Sequence, residues 1–287
     1  MPFIVTLLSD FGSGSPYPAQ MKIVLASSCE AMLIDITHDV PRHDVRAGAY
    51  LLAAVARTTP AGTVHLAVVD PGVGTTRRPL VVASGGQMFI GPDNGLLVPA
   101  AKRVGRPQPF EIIAPEILQS VSSFTFHGRD IFAPVAARLV RGTPPQALGR
   151  AVEDFVDLTL EAGRRVGNAL LGEVLYVDAF GNLITNIPAG ELGRDGAVIH
   201  LTVGRRRARA AAARTYGDVA RGDIAVVPGS DGLLEIAVRE GSAAKYFAAS
   251  RAAKVRIELR ARSAHPHSPL PGGRGTKGEG ARGTRLG

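Results

Sequence analysis

One cysteine, no tryptophan and 5% aromatic residues in 287 positions set the first limits. A lone Cys29 excludes an internal disulfide and any cysteine-built zinc cluster. Its setting, LASSCEAML, is that of a small packed hydrophobe rather than an activated thiol, and it suits a reducing cytoplasm. Long apolar runs are missing too. MPFIVTLLSD has no basic start and breaks at Asp10, so it reads as neither a secretory leader nor a membrane span. Nucleotide motifs are absent: no GxxxxGK[ST] loop occurs, and GSGSP and GVGTTR lack the third glycine and following helix of a dinucleotide fingerprint. Neither phosphoryl nor hydride transfer is supported. His38, His43, His65 and His127 form no pair one helical turn apart, and His265 and His267 fall near the C-terminus, so no metal is motivated.

Charge is plentiful but unevenly placed. Of the net +8, five units lie in residues 260–287, leaving +3 for the rest. The stretch SAHPHSPLPGGRGTKGEGARGTRLG (263–287) is rich in Gly, Pro and Ser, and it reads as a disordered basic tail because burial cannot offset its ordering entropy. A second basic run, GRRRARA (204–210), has no interleaved aromatics for base stacking. A solvated hairpin or loop is favoured there over a phosphate-binding site, and nucleic acid is not an expected partner.

The first half repeats one grammar: a short apolar run, then an acid or polar residue, then Gly or Pro. FIVTLLSDFG, AMLIDITHDVP, TVHLAVVDPGVG and QMFIGPDNG all follow it. Apolar runs without clean alternation suit strands buried on both faces, which predicts an α/β domain with a mainly parallel sheet over residues 1–160. Helices are expected between them, in DVRAGAYLLAAVARTTP with Asp44 as cap and in GRDIFAPVAARLVRG ending at Arg141 and Gly142. In open parallel sheets ligands gather beyond the strands' carboxyl ends, where this grammar puts Asp10, Asp70 and Asn94. VVDPGVGTTRRP (68–79) then makes sense as a strand delivering Asp70, a loop whose Gly72 and Gly74 let backbone approach a ligand, and Arg77 within reach of the same pocket.

Past residue 160 the pattern changes to closely spaced strands, GEVLYVDAFGNLITNI, GAVIHLTVG, GDIAVVPGSDGLLEIAV and KVRIELRA, without long helical stretches. A smaller all-β domain over 161–262, an antiparallel barrel or sandwich, is expected. The boundary falls in FVDLTLEAGRRVGN (155–168).

SDFG (9–12), DITHDVP (35–41), VVDPGVGTTRR (68–78), GPDNGLL (91–97), TFHGRDIFAPVAA (125–137), DAFGNLITNI (178–187) and GSDGLLEIA (229–237) together resemble the S-adenosylmethionine hydroxide adenosyltransferases. These are S-adenosylmethionine hydrolases related to fluorinating and chlorinating enzymes. The resemblance covers most of residues 3–260 and excludes the tail. It implies an N-terminal α/β domain, a C-terminal β-barrel-like domain, and a homotrimer with substrate at subunit interfaces. The implied reaction is attack of water or hydroxide on ribose C5′, giving adenosine and methionine. A sulfonium leaves as a neutral thioether, so no general acid, metal or organic cofactor is required; the enzyme must position and deprotonate a poor nucleophile.

The family's water-handling triad falls on Asp70, Arg77 and His127. Arg77 stays charged at physiological pH and suits stabilisation of a hydroxide-like nucleophile. His127 is the better proton acceptor, and Asp70 would orient Arg77 and the water. Halogenating relatives carry other residue types at the Asp70 and His127 positions, which favours oxygen over halide. Taken singly, Asp70 equally suits a turn before Pro71, His127 better suits a structural hydrogen bond and Arg77 a surface ion pair; the joint pattern reverses all three. Asp10 would accept both ribose hydroxyls, Asp178 and Asn182 would hold the methionine end, and Phe180 would wall the pocket. Tyr216 resembles an adenine-packing aromatic, and the Ser230 region the backbone that reads the adenine edge. One departure stands out: SPYPAQMK puts Ser15 where the family commonly has an acid suited to the methionine amine. A halide transferase, a non-catalytic S-adenosylmethionine-binding protein and a nucleic-acid-binding module are the competing readings.

Overall fold

The computed structural model describes residues 3–193 and 196–259; the expected basic tail, 263–287, lies outside the described residues. The first half builds one seven-stranded sheet from β1 (Phe3–Ser9), β2 (Ala31–Thr37), β3 (Val64–Val68), β4 (Pro79–Ser84), β5 (Gln87–Pro92), β6 (Gln108–Ile112) and β7 (Gly149–Ala151). Their spatial order is β2-β1-β3-β5-β4-β6-β7. The neighbours among β2, β1, β3 and β5 pair in parallel, as the apolar runs predict. The pairings that add β4, β6 and β7 are antiparallel. Gly85 and Gly86, at φ +55° and +75°, close the β4–β5 hairpin. That is the turn whose twist matches paired strands and whose backbone glycine adopts freely.

Helices cover both faces of this sheet. On one side α1 (Tyr17–Ser28) and α4 (Ala133–Val140) pack Met21, Leu25, Val135 and Leu139 against Val5, Leu7, Leu66 and Val68. On the other, α2 (Val45–Ala56) and α3 (Val98–Val104) pack Ala49, Leu52 and Ala101 against Leu8, Ala67 and Val69. Successive residues of a strand thus enter opposite apolar layers, which is why these runs show no polar alternation. Asp44 caps α2, its carboxylate accepting from the Ala47 N–H at 3.0 Å. Before α4, Gly128–Phe132 forms one wide π turn that carries the chain out of the site loop.

Residues 152–163 cross without regular structure into the second unit. Its strands are β8 (Arg164–Val166), β9 (Ala169–Val177), β10 (Leu183–Pro188), β11 (Val198–Val203), β12 (Arg206–Ala212), β13 (Ile224–Pro228), β14 (Leu233–Val238) and β15 (Lys254–Leu259). Seven of them close a barrel in the order β10-β14-β13-β12-β11-β15-β9, sealed by β9–β10 pairing. Its interior is filled by Leu170, Leu183, Ile199, Leu201, Val226, Leu234, Ile236 and Ile257. The barrel is not wholly antiparallel: β12 and β13 run parallel, Ala211 and Ala212 opposite Ala225 and Val226. The run expected as a solvated hairpin or loop, 204–210, is the β11–β12 turn and most of β12.

Polar bonds tie barrel to sheet. The Tyr50 hydroxyl on α2 donates to Asp231 at 2.6 Å in a buried contact, and Arg46 donates to Glu173 at 3.1 Å. Burial, then the Asp231 contact, push the Tyr50 phenol well above its ordinary range, so it stays a donor. Tyr50→Phe leaves a buried carboxylate oxygen short of a partner, and denaturant unfolding should show a loss of about 1–3 kcal/mol. A change within experimental error would show that this bond does not join the two units.

Candidate active site

Register puts the first two acids together. In the parallel β1–β3 pair Ser9 lies opposite Val68, so the chain delivers Asp10 one residue beyond β1 and Asp70 two beyond β3, at the same sheet edge. Both line a cleft of about 290 Å³ with Tyr17, Arg42, His43, Thr125, Phe126 and His127. Phe11, Tyr17 and Phe126 meet edge to face at 5.2–5.8 Å between ring centres and wall one side.

Behind this cleft sits Arg77. Its Nε donates to both Asp70 oxygens at 3.0 and 2.9 Å, its Nη2 contacts Asp70 as well, and the same Nη2 donates to His127 Nδ1 at 2.8 Å. Its side chain is 9% exposed and that of Asp70 5%. The guanidinium lies 5.3 Å from the Phe132 ring centre, and its buried Nη1 has no acceptor among the described residues. A buried cation needs such a counter-ion, because an isolated one would cost several kcal/mol. The two adjacent arginines divide their tasks: Arg77 turns inward, whereas Arg78 binds Asp93 at 2.7 Å and Asp154 at 3.0 Å. At Gly72 the backbone packs close to Arg77: an added Cβ would lie 3.3 Å from Arg77 Cγ, a tight contact to which the arginine stem would have to yield.

His127 is half-buried. Asp130 holds its loop by accepting from the Ser122 and Ser123 N–H groups at 3.0 and 2.8 Å. Because a guanidinium only donates, His127 Nδ1 must accept, so the neutral ring carries its proton on Nε2. Nε2 has no protein partner among the described residues. Burial, then the Arg77 charge, hold the imidazole below the ordinary histidine value of 6.5, which preserves this neutral form.

The remaining sequence-predicted residues stand elsewhere in the chain. Asp178, Phe180, Asn182 and Tyr216 line a separate cleft of about 590 Å³ on the barrel, with Glu235 and Arg239. There Asp178 accepts from the Phe180 and Asn182 N–H groups at 2.9 and 2.8 Å and from the Asn182 side chain at 2.9 Å, which fixes the turn. Phe180 is 80% exposed, and Tyr216 donates to Glu235. Ser230 lies outside both clefts on an exposed turn, its carbonyl accepting from Arg57 at 3.0 Å. Asn94, grouped with the acids by the strand grammar, instead ties loops together: it donates to the Val69 carbonyl at 2.8 Å and accepts from Leu96 N–H at 3.1 Å. Ser15 bonds the Gly12 carbonyl at 3.0 Å and is not among the cleft's lining residues. Sequence reasoning missed Tyr17, Thr125, Arg42 and His43 as cleft residues. The aromatic wall had a signal in the SDFG and TFHG blocks, but single aromatics read as core.

Residues 5–149 match the SAM hydroxide adenosyltransferase N-terminal domain and residues 172–256 the C-terminal domain. The chain belongs to the SAM hydroxide adenosyltransferase family. A curated relative from Salinispora tropica, named (R)-S-adenosyl-L-methionine hydrolase, is 40% identical over 260 residues, spanning 88% of this chain and 97% of the relative. A protein of the same name from Thermus thermophilus is 40% identical over 266 residues, 88% of this chain and 98% of its own. Among solved structures, an uncharacterized conserved protein from Thermotoga maritima aligns with a TM-score of 0.83 at 37% identity, covering 88% of this chain and 99% of that one.

NMR titration of the His127 ring should give a pKa below 6.5. Arg77→Gln should move it upward, because the substitution removes a neighbouring positive charge and spares Asp70. A wild-type value at or above 6.5, or no movement in the variant, would contradict the contact between the two residues.

Proposed function

We propose that the protein hydrolyses S-adenosyl-L-methionine: the bond from ribose C5′ to sulfur breaks, an oxygen from water bonds to C5′, and adenosine, methionine and a proton are released. The observation that carries this reading is the Asp70–Arg77–His127 cluster beside Asp10 at one strand edge. Family membership and the names of curated relatives support the same chemistry.

The sulfonium departs as a neutral thioether with the C–S electron pair, so the barrier lies in presenting an oxygen nucleophile in line. In this reading Asp70 anchors Arg77, and Arg77 supplies positive potential that favours hydroxide over water. While Nδ1 accepts from Arg77, His127 offers Nε2–H to the nucleophile as a donor, and the proton passes to solvent. His127 thereby serves to hold hydroxide rather than to take up its proton. Asp10 receives the ribose hydroxyls, a carboxylate having sites for both. No metal or organic cofactor enters these steps.

The active form is read as a homotrimer in which the barrel cleft of one subunit faces the sheet cleft of the next. The separation of Asp178, Phe180, Asn182 and Tyr216 from Asp10, Asp70 and His127 into two clefts supports this. So does the exposure of Phe180 and Tyr216, aromatics that bind best when covered. The single cysteine suits residence in the cytoplasm.

Incubation with S-adenosyl-L-methionine in heavy-oxygen water, with and without chloride or fluoride, should yield adenosine labelled at the 5′ oxygen under every condition. A 5′-halogenated nucleoside would instead indicate halide transfer, and ligand binding without turnover would indicate a sensor.

A further inference from the structure

The chain leaves β2 through Pro41, Arg42 and His43 before Asp44 caps α2, and this corner forms part of the cleft. His43 has φ +60°, a left-handed conformation unusual for a residue with a side chain. Its neighbours enforce it. Asp44 N–H donates to the Pro41 carbonyl at 2.9 Å, Val45 N–H to the His43 carbonyl at 3.1 Å, and the Asp44 carboxylate caps α2 while pairing with Arg251 of the barrel. With the downstream chain clamped in this way, the left-handed turn aims the His43 N–H at Asp10 Oδ2, 2.8 Å away. That N–H is the one protein hydrogen bond to the Asp10 carboxylate among the described residues. Strain of this kind persists where surrounding structure over-determines it, and it clusters at ligand sites.

We propose that His43 is a positioning residue for the ribose: its left-handed backbone fixes the orientation of the Asp10 carboxylate that receives the ribose hydroxyls. The proposal rests on the reading of Asp10 given above. One oxygen is tethered to a clamped corner, so the carboxylate does not have to be immobilised when ligand arrives. The barrel contributes through Arg251, which braces the corner by way of Asp44.

The test uses backbone chemistry. Glycine and asparagine adopt φ +60° readily, whereas β-branched valine does so only at high cost. Dissociation constants for adenosine and 2′,3′-dideoxyadenosine are measured by calorimetry on the full chain, beside kcat and KM for S-adenosyl-L-methionine. His43→Val should weaken adenosine about tenfold or more, and dideoxyadenosine by less than about twofold, because only the diol needs the oriented carboxylate. KM should rise more than kcat falls. His43→Gly and His43→Asn lose the same cleft-lining side chain but keep the N–H in place, so each should bind adenosine at least about threefold more tightly than His43→Val. If His43→Val fails to fold by its melting curve, His43→Ala applies the same backbone strain more mildly. Equal losses on both nucleosides in a folded variant, or a His43→Gly as weak as His43→Val, would overturn the proposal. A wild type that does not distinguish the two nucleosides overturns the role of Asp10 itself; one that does, with His43→Val keeping the full distinction, overturns only the role of His43.

Discussion

A guanidinium almost wholly removed from water stands at the centre of this structure. Arg77 cannot shed its charge when buried, so the fold must supply compensation, and Asp70 does so with both oxygens. Once that pair is formed, the geometry of the fork decides the state of its next neighbour. A group at Nη2 can only accept, which sets the His127 tautomer and leaves Nε2–H as the ring's remaining polar contact. One buried charge therefore fixes the protonation pattern of the whole cluster, and the chemistry available to a nucleophile beside it follows.

The two units of the chain contribute differently. The parallel strands bring Asp10 and Asp70 to one edge through register alone, and the helices bury the pair's surroundings. The barrel supplies a second set of polar and aromatic groups on its own cleft, together with struts to the first unit at Tyr50, Arg46 and Asp44. In the proposed homotrimer, where the barrel cleft of one subunit faces the sheet cleft of the next, the site would depend on how the subunits are oriented as much as on the residues themselves.

Much of this was legible in the residues. Apolar runs ending in acids foretold β1, β2, β3 and β5, and the Asp44 cap foretold α2, because burial on both faces and capping leave local marks. Strands β4 and β6 were not anticipated: RPLVVASGG follows the same grammar, its apolar run closing on Ser84 and Gly85, whereas QPFEI is too short and mixed to show it and is defined by its partner across the sheet. The β12–β13 parallel pairing was equally invisible, since strand direction within a barrel is a matter of topology rather than composition. In the site, Asp10, Asp70, Arg77 and His127 stood out as a joint pattern. His43 did not, because its contribution lies in a backbone dihedral and an N–H that every residue but proline possesses. At Ser230 the motif marks a segment whose backbone carbonyl accepts from Arg57, tying the turn to the first unit through the main chain.

The bridge from Asp70 through Arg77 to His127 is best probed by Arg77→Lys, which keeps the positive charge but gives up the planar fork that reaches both partners. Turnover of S-adenosyl-L-methionine should fall about a hundredfold or more while adenosine affinity stays within a few-fold, because the fork acts on the nucleophile and not on the nucleoside. Near-normal turnover in that variant would mean that a point charge suffices and that the bridging geometry has no part in the reaction.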